Sequence, residues 1–209
     1  LRAGGDEAEY EMALTHYYMG KISMALSESK SIAKRGNNFS LDAEVLTALC
    51  RESQGFERAA IRIYKNATAQ GSSRAAYHYA AMLLRKGHRD EAEQWAQKSI
   101  MLNKNNADAH LLLATVMTEK NERFKSMMPI YYFLLINNDE EKQRLAYRQL
   151  ISLWRESAKA INLIKTSKVP DPFNDAINRQ IEQWATSDSI AKVPAKEQIA
   201  MLCQQTERH

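Results

Sequence analysis

Apolar positions recur at helical spacing through most of the chain. Tyr10, Ala13, Leu14 and Tyr17 stand at i, i+3, i+4 and i+7, and Tyr77, Ala80, Ala81 and Leu84 repeat the interval. Such a stripe predicts amphipathic helices that bury one face. No alternating apolar-polar run is long enough to predict a strand. The stripes are interrupted by clusters of turn-forming residues: Gly36-Asn37-Asn38, Gly71-Ser72-Ser73, Asn103 to Asn106, and Asn137-Asn138-Asp139.

Within this pattern a frame repeats four times. Ala13, Ala48, Ala80 and Ala114 are each followed seven residues later by Gly20, Gly55, Gly87 and Asn121, and five residues beyond by Ala25, Ala60, Ala92 and Ser126. A side chain the size of a methyl group is needed where two helices cross closely. Gly or Asn suits the left-handed residue that ends a helix. The frame therefore predicts helix, tight turn, helix, turn, repeated at nearly constant spacing from Ala13 through Ala48 and Ala80 to Ala114.

The segment Asp108-Ala109-His110-Leu111-Leu112-Leu113-Ala114 resembles the opening of a tetratricopeptide (TPR) repeat. Gly87-His88-Arg89-Asp90-Glu91-Ala92, followed by Ala96 and Ser99, is similar to that family's second helix. Tyr64 to Ala80 also has the character of the related Sel1-type repeat. The early Trp of the family is missing, and His16 and Arg51 stand where its Tyr is usual. The resemblance spans residues 6–140 and implies an all-α fold, a right-handed α-α superhelix of TPR-like hairpins at 6–40, 41–72, 73–106 and 107–140. Ala160, one further interval beyond Ser126, suggests a degenerate fifth hairpin over 141–169, with Arg148 where a small residue belongs. Val169-Pro170-Asp171-Pro172 should break the chain. Two capping helices are expected after it, Phe173 to Thr186 and Pro194 to Gln205.

In such a stack the first helix of each hairpin lines a concave groove. Carried over by position, Tyr10, Leu14, Tyr17, Arg74, Tyr77, Leu84, Arg85 and Leu111 would form a partner-binding surface. Aromatic rings offer large contact area with few rotors to freeze, and Arg offers a fork of donors. Some family members hold an acidic C-terminal peptide with a Lys and Asn pair on the first inner helix. Tyr10 and Leu14 stand there instead, so a carboxylate clamp is not expected.

Composition agrees with a soluble helical chain: 44% apolar and 26% charged residues, with 7 Gly and 4 Pro among 209 residues. The 29 basic and 25 acidic residues are interspersed, giving a net charge of +4 without a basic stripe for nucleic acid. The longest apolar run, Met127 to Ile136, includes Pro129 and is too short to span a bilayer. Cys50 and Cys203 lie far apart, and the five histidines form no i,i+4 pair, so neither a disulfide nor a metal site is expected. No phosphate-cradling glycine loop and no catalytic constellation is present, and no cofactor is expected. The start at Leu1, without Met, suggests a piece of a longer protein and leaves the compartment open. The expected function is non-catalytic capture of a protein or peptide. The alternative is a sensory, regulatory or dimerisation segment of a larger protein.

Overall fold

The structure is a computed structural model that describes residues 3–165. Its helices are α1 (Ala3–Tyr18), α2 (Ile22–Ala33), α3 (Ser40–Ser53), α4 (Glu57–Ala69), α5 (Ser73–Arg85), α6 (Arg89–Leu102), α7 (Ala107–Glu119), α8 (Arg123–Ile136) and α9 (Glu140–Lys165). No strand occurs among the described residues. The capping helices expected over 170–209 lie outside them.

The turn inside each hairpin is built by the same residues in the same way. Gly20, Gly55, Gly87 and Asn121 have φ of 75°, 79°, 78° and 61°. At Gly87 the amide donates to Leu84 O at 2.9 Å while the next amide, His88, donates to Leu83 O at 3.0 Å. The same pair of bonds closes α1, α3 and α7, satisfying carbonyls that the helix end leaves without partners. The turns between hairpins are capped by side chains: Ser72 Oγ accepts from Ala75 N at 3.1 Å, and Asn106 Oδ1 from Ala109 N at 3.2 Å.

The small residues of the frame sit at the helix crossings. Ala13, Ala25, Ala48, Ala60, Ala80, Ala92, Ala114 and Ser126 are all fully buried, each at 0% exposure. A larger side chain there would push the two backbones apart.

Two units are distinguished, residues 1–112 and the residues from Leu113 onward, with the boundary inside α7 rather than at 140. In the first unit, hairpins join through polar as well as apolar contacts. Ser29 Oγ on α2 meets Thr47 Oγ1 on α3 at 2.9 Å. The Tyr64 ring of α4 stacks on Tyr79 of α5, centroids 6.3 Å apart, and Tyr79 meets Trp95 edge-on at 4.7 Å. Ser73, Ser99 and the Asn106 amide form a buried set of mutual hydrogen bonds tying α5 to α6 and to the turn before α7. All these groups find partners, as buried polar groups must.

In the second unit, Val116, Ile130, Phe133, Leu134, Ala146 and Leu150 are buried together with Ala114 and Ser126. Here the structure corrects the expected fifth hairpin: residues 140–165 form one continuous helix of 26 residues. The reason is local. The place in the frame that holds Gly or Asn elsewhere is Arg155, and no Gly or Pro interrupts the segment, so nothing ends the helix. Asp139 caps its start, accepting from Glu141 N at 3.0 Å and Lys142 N at 3.1 Å. Ala146, Leu150 and Leu153 are buried while Arg148 is exposed. The small residue is present, two positions earlier than the frame placed it.

Candidate binding surface

The inner surface of the first unit follows from helix geometry. Counting from each frame alanine, residues at −6, −3, +1, +4 and +5 project between about 40° and 140° around the helix from it, at about 100° per residue. On α1 these are Glu7, Tyr10, Leu14, Tyr17 and Tyr18. The α3 set is Asp42, Val45, Leu49, Glu52 and Ser53, and the α5 set is Arg74, Tyr77, Ala81, Leu84 and Arg85. The +1 row of Leu14, Leu49 and Ala81 is half-buried in every repeat. It forms an apolar floor between two more polar edges.

Along one edge, Arg74 Nη1 of α5 donates to Asp42 Oδ1 of α3 at 3.2 Å. The guanidinium's charge also acts on the Tyr10 phenol of α1, partly offsetting the burial that raises its pKa. Along the other, Arg85 donates to Glu52 Oε1, and the other carboxylate oxygen of Glu52 accepts the Tyr64 hydroxyl at 2.9 Å. Burial, reinforced by Glu52, pushes the Tyr64 phenol well above its ordinary range. At the same end the Tyr17 and Ser53 hydroxyls lie 3.4 Å apart. Each arginine therefore reaches back one repeat to an acid. Both keep an exposed flank, the side chains of Arg74 and Arg85 being 51% and 61% accessible.

His78 lies beside these arginines, its ring edge-on to Tyr77 at 4.9 Å and stacked on Tyr64 at 6.4 Å. Desolvation, helped by the nearby charges of Arg74 and Arg85 and opposed by Asp108, lowers its pKa to about 4. The imidazole is neutral at physiological pH. Cys50 is fully buried and burial pushes its thiol up to about 11, so it is not an activated nucleophile. Among the described residues no group of three or more His, Cys, Asp or Glu is arranged to hold a metal ion.

The eight residues expected at the groove divide into three sets. Leu14, Tyr17, Tyr77, Leu84 and Leu111 are half-buried, each with part of the side chain accessible. Arg74 and Arg85 are exposed but engaged by Asp42 and Glu52. Tyr10 is a correction: it is 4% exposed and belongs to the core with Ala13, Ala25, Ile32, Ala43, Leu46 and Cys50. Phe39, nine residues before the alanine of the next repeat, stacks on its ring at 5.7 Å. At the equivalent of Phe39 the next two repeats carry Gly71 and Asn105. No ring is present there to cover the residue that matches Tyr10 in the third repeat, Tyr77. Sequence reasoning misses the roles of Tyr64, an outer-helix residue that anchors Glu52, and of His78. The only sequence signal for the ion pairs is opposite charge at one-repeat spacing, Asp42 with Arg74 and Glu52 with Arg85.

No protein-family profile matches the sequence, and no curated protein matches it. Solved structures do match. PilF of Pseudomonas aeruginosa is 14% identical, with a TM-score of 0.62 over 99% of this chain and 92% of its own. A MamA structure is 19% identical, with a TM-score of 0.54 over 69% of this chain and 84% of its own. A chain of the APC/C hetero-tetramer Cut9-Hcn1 is 16% identical, with a TM-score of 0.57; 89% of this chain matches 38% of that one. These neighbours are TPR-repeat proteins. The fold is thus an all-α helical-repeat solenoid of the TPR type.

Proposed function

We propose that the concave face of α1, α3 and α5 captures a segment of another protein, and that the chain is a non-catalytic interaction module. The observation that carries this reading is the half-buried apolar floor Leu14, Leu49 and Ala81, with Tyr17, Tyr77 and Leu84 beside it. It is an accessible strip set between fixed polar edges. The TPR-type fold of the neighbours supports it. One of them, the Cut9-Hcn1 hetero-tetramer, is itself a complex of proteins. Among the described residues no helix is long and apolar enough to cross a membrane.

The edges narrow the ligand class. Because Arg74 and Arg85 are already matched by Asp42 and Glu52, a ligand carboxylate would have to displace an internal acid at each. The floor favours a helix or extended segment that inserts apolar side chains and meets the rim through neutral hydrogen bonds. A photoreactive phenylalanine analogue at Leu49, compared with one at Gln97 on α6, tests this in the full chain. Cross-links to partner protein from position 49 and none from 97 support the proposal. The reverse pattern sinks it.

A further inference from the structure

Counted from the small residue of each outer helix, the second, sixth and ninth positions onward face away from its buried side. On α8 they are Met128, Tyr132 and Leu135, exposed by 70%, 37% and 56%. At about 100° per residue they lie within about 60° of one another, while Ser126, Ile130 and Phe133 across the helix are fully buried. The first two of these positions are polar on the other outer helices: Ser27 and Ser31 on α2, Arg62 and Asn66 on α4, Gln94 and Lys98 on α6, all exposed. The third is Lys34, Ala69 and Met101, also exposed. Each of those helices is followed by another hairpin, so the openness of this face comes from its register within the hairpin and not from where the chain starts or stops. On α8 alone among the described outer helices, large apolar side chains fill all three positions, and a contiguous stripe of that kind marks a contact surface.

The ends of the stripe decide what it fits. No charged residue occurs from Met128 to Ile136. Lys125 stands one turn before the stripe, its side chain 70% accessible and paired with Glu122 only through an exposed contact that water weakens. The exposed Glu140 and Glu141 stand just past the other end, ahead of Lys142. When two copies of α8 pack antiparallel about a twofold axis, Met128 of each faces Leu135 of the other, and Lys125 of each approaches the other's Glu140 and Glu141. Parallel packing would set Lys125 against Lys125. We propose that the Met128, Tyr132 and Leu135 face of α8 is an isologous contact with a second copy of this chain. One helix face per copy is smaller than the ~800 Å² per partner of a standard interface, so the dimer is weak, with a dissociation constant on the order of 10 μM. The face shares no residue with the groove on α1, α3 and α5, and the proposal does not rest on the groove's occupant.

Sedimentation velocity of the full chain, in a concentration series reaching about 200 μM, should show monomer passing to dimer and nothing larger, because a twofold contact closes on itself. Met128→Glu and Leu135→Lys, each made singly on the exposed face and checked for an unchanged circular dichroism spectrum, should weaken the dimer by at least about tenfold. Mixing the two variants should give a heterodimer at least about tenfold stronger than the homodimer of either, because the acid introduced in one chain meets the base introduced in the other. A face that served only the stability of the fold would give no such rescue. Monomer throughout the series, dimers that neither substitution weakens, or weakening without rescue on mixing would overturn the proposal.

Discussion

Glu52 of α3 and Arg85 of α5 are joined as an ion pair across neighbouring repeats, and the same carboxylate holds the hydroxyl of the fully buried Tyr64. The two halves of this arrangement differ in worth. The arginine is exposed, and exposed pairs contribute little because water screens them and long side chains lose entropy. The phenol is enclosed, and stripping its acceptor leaves a desolvated donor.

It follows that Glu52→Ala should lower unfolding free energy by about 1–3 kcal/mol, whereas Arg85→Ala should cost under about 1 kcal/mol. Urea denaturation of both variants gives the comparison. Equal losses would mean that the ion pair, and not the tyrosine, gives the carboxylate its role.

The small residues at helix crossings lead to a contrast between neighbours in sequence. Ala80 is fully buried and Ala81 is half-buried. Ala80→Leu should destabilise by about 1–3 kcal/mol through overpacking, while Ala81→Leu should change stability by no more than about 0.5 kcal/mol. Thermal unfolding of the pair checks it.

At Gly87 the constraint is purely conformational. A Cβ added there would meet no atom within 4 Å, yet φ is +78°. Gly87→Ala should cost about 1 kcal/mol, and Gly87→Asn less, since Asn121 already occupies the matching turn at φ 61°. A denaturant series on the two variants decides whether φ alone sets the cost.

His78 imposes a pH dependence on stability. Its folded pKa, about 4, lies below its ordinary value of 6.5, so between these values the unfolded chain binds more protons than the folded one. Stability contributed by the neutral ring is whole above about pH 6.5 and is lost progressively as pH falls toward about 4. His78→Gln should flatten the stability profile across that window relative to the parent. Identical slopes would show that His78 is not desolvated in the folded chain.

What was legible in the sequence was whatever chemistry is local. Gly20, Gly55, Gly87 and Asn121 marked the turns because a left-handed residue is required at one point, and the paired alanines marked the crossings because only small side chains fit. Contacts across repeats were not legible. The burial of Tyr10 depends on Phe39 from the next hairpin, and the engagement of Arg74 depends on Asp42 from the one before. Neither helix alone contains that information. The unbroken course of α9 was signalled by Arg155 at a turn position, but Ala160 favoured another hairpin. The proposed groove rests on a face and not on a ligand, because half-buried Leu14, Leu49 and Ala81 specify apolarity and little else.

The most direct test is a binding titration of the protein that cross-links through position 49 against the parent chain and Ala81→Arg, a substitution that sets a long charged side chain in the middle of the proposed floor. Capture on the proposed floor predicts that Ala81→Arg loses that protein by about a hundredfold or more while its thermal unfolding stays superimposable on that of the parent. Undiminished affinity in a folded Ala81→Arg chain would contradict it.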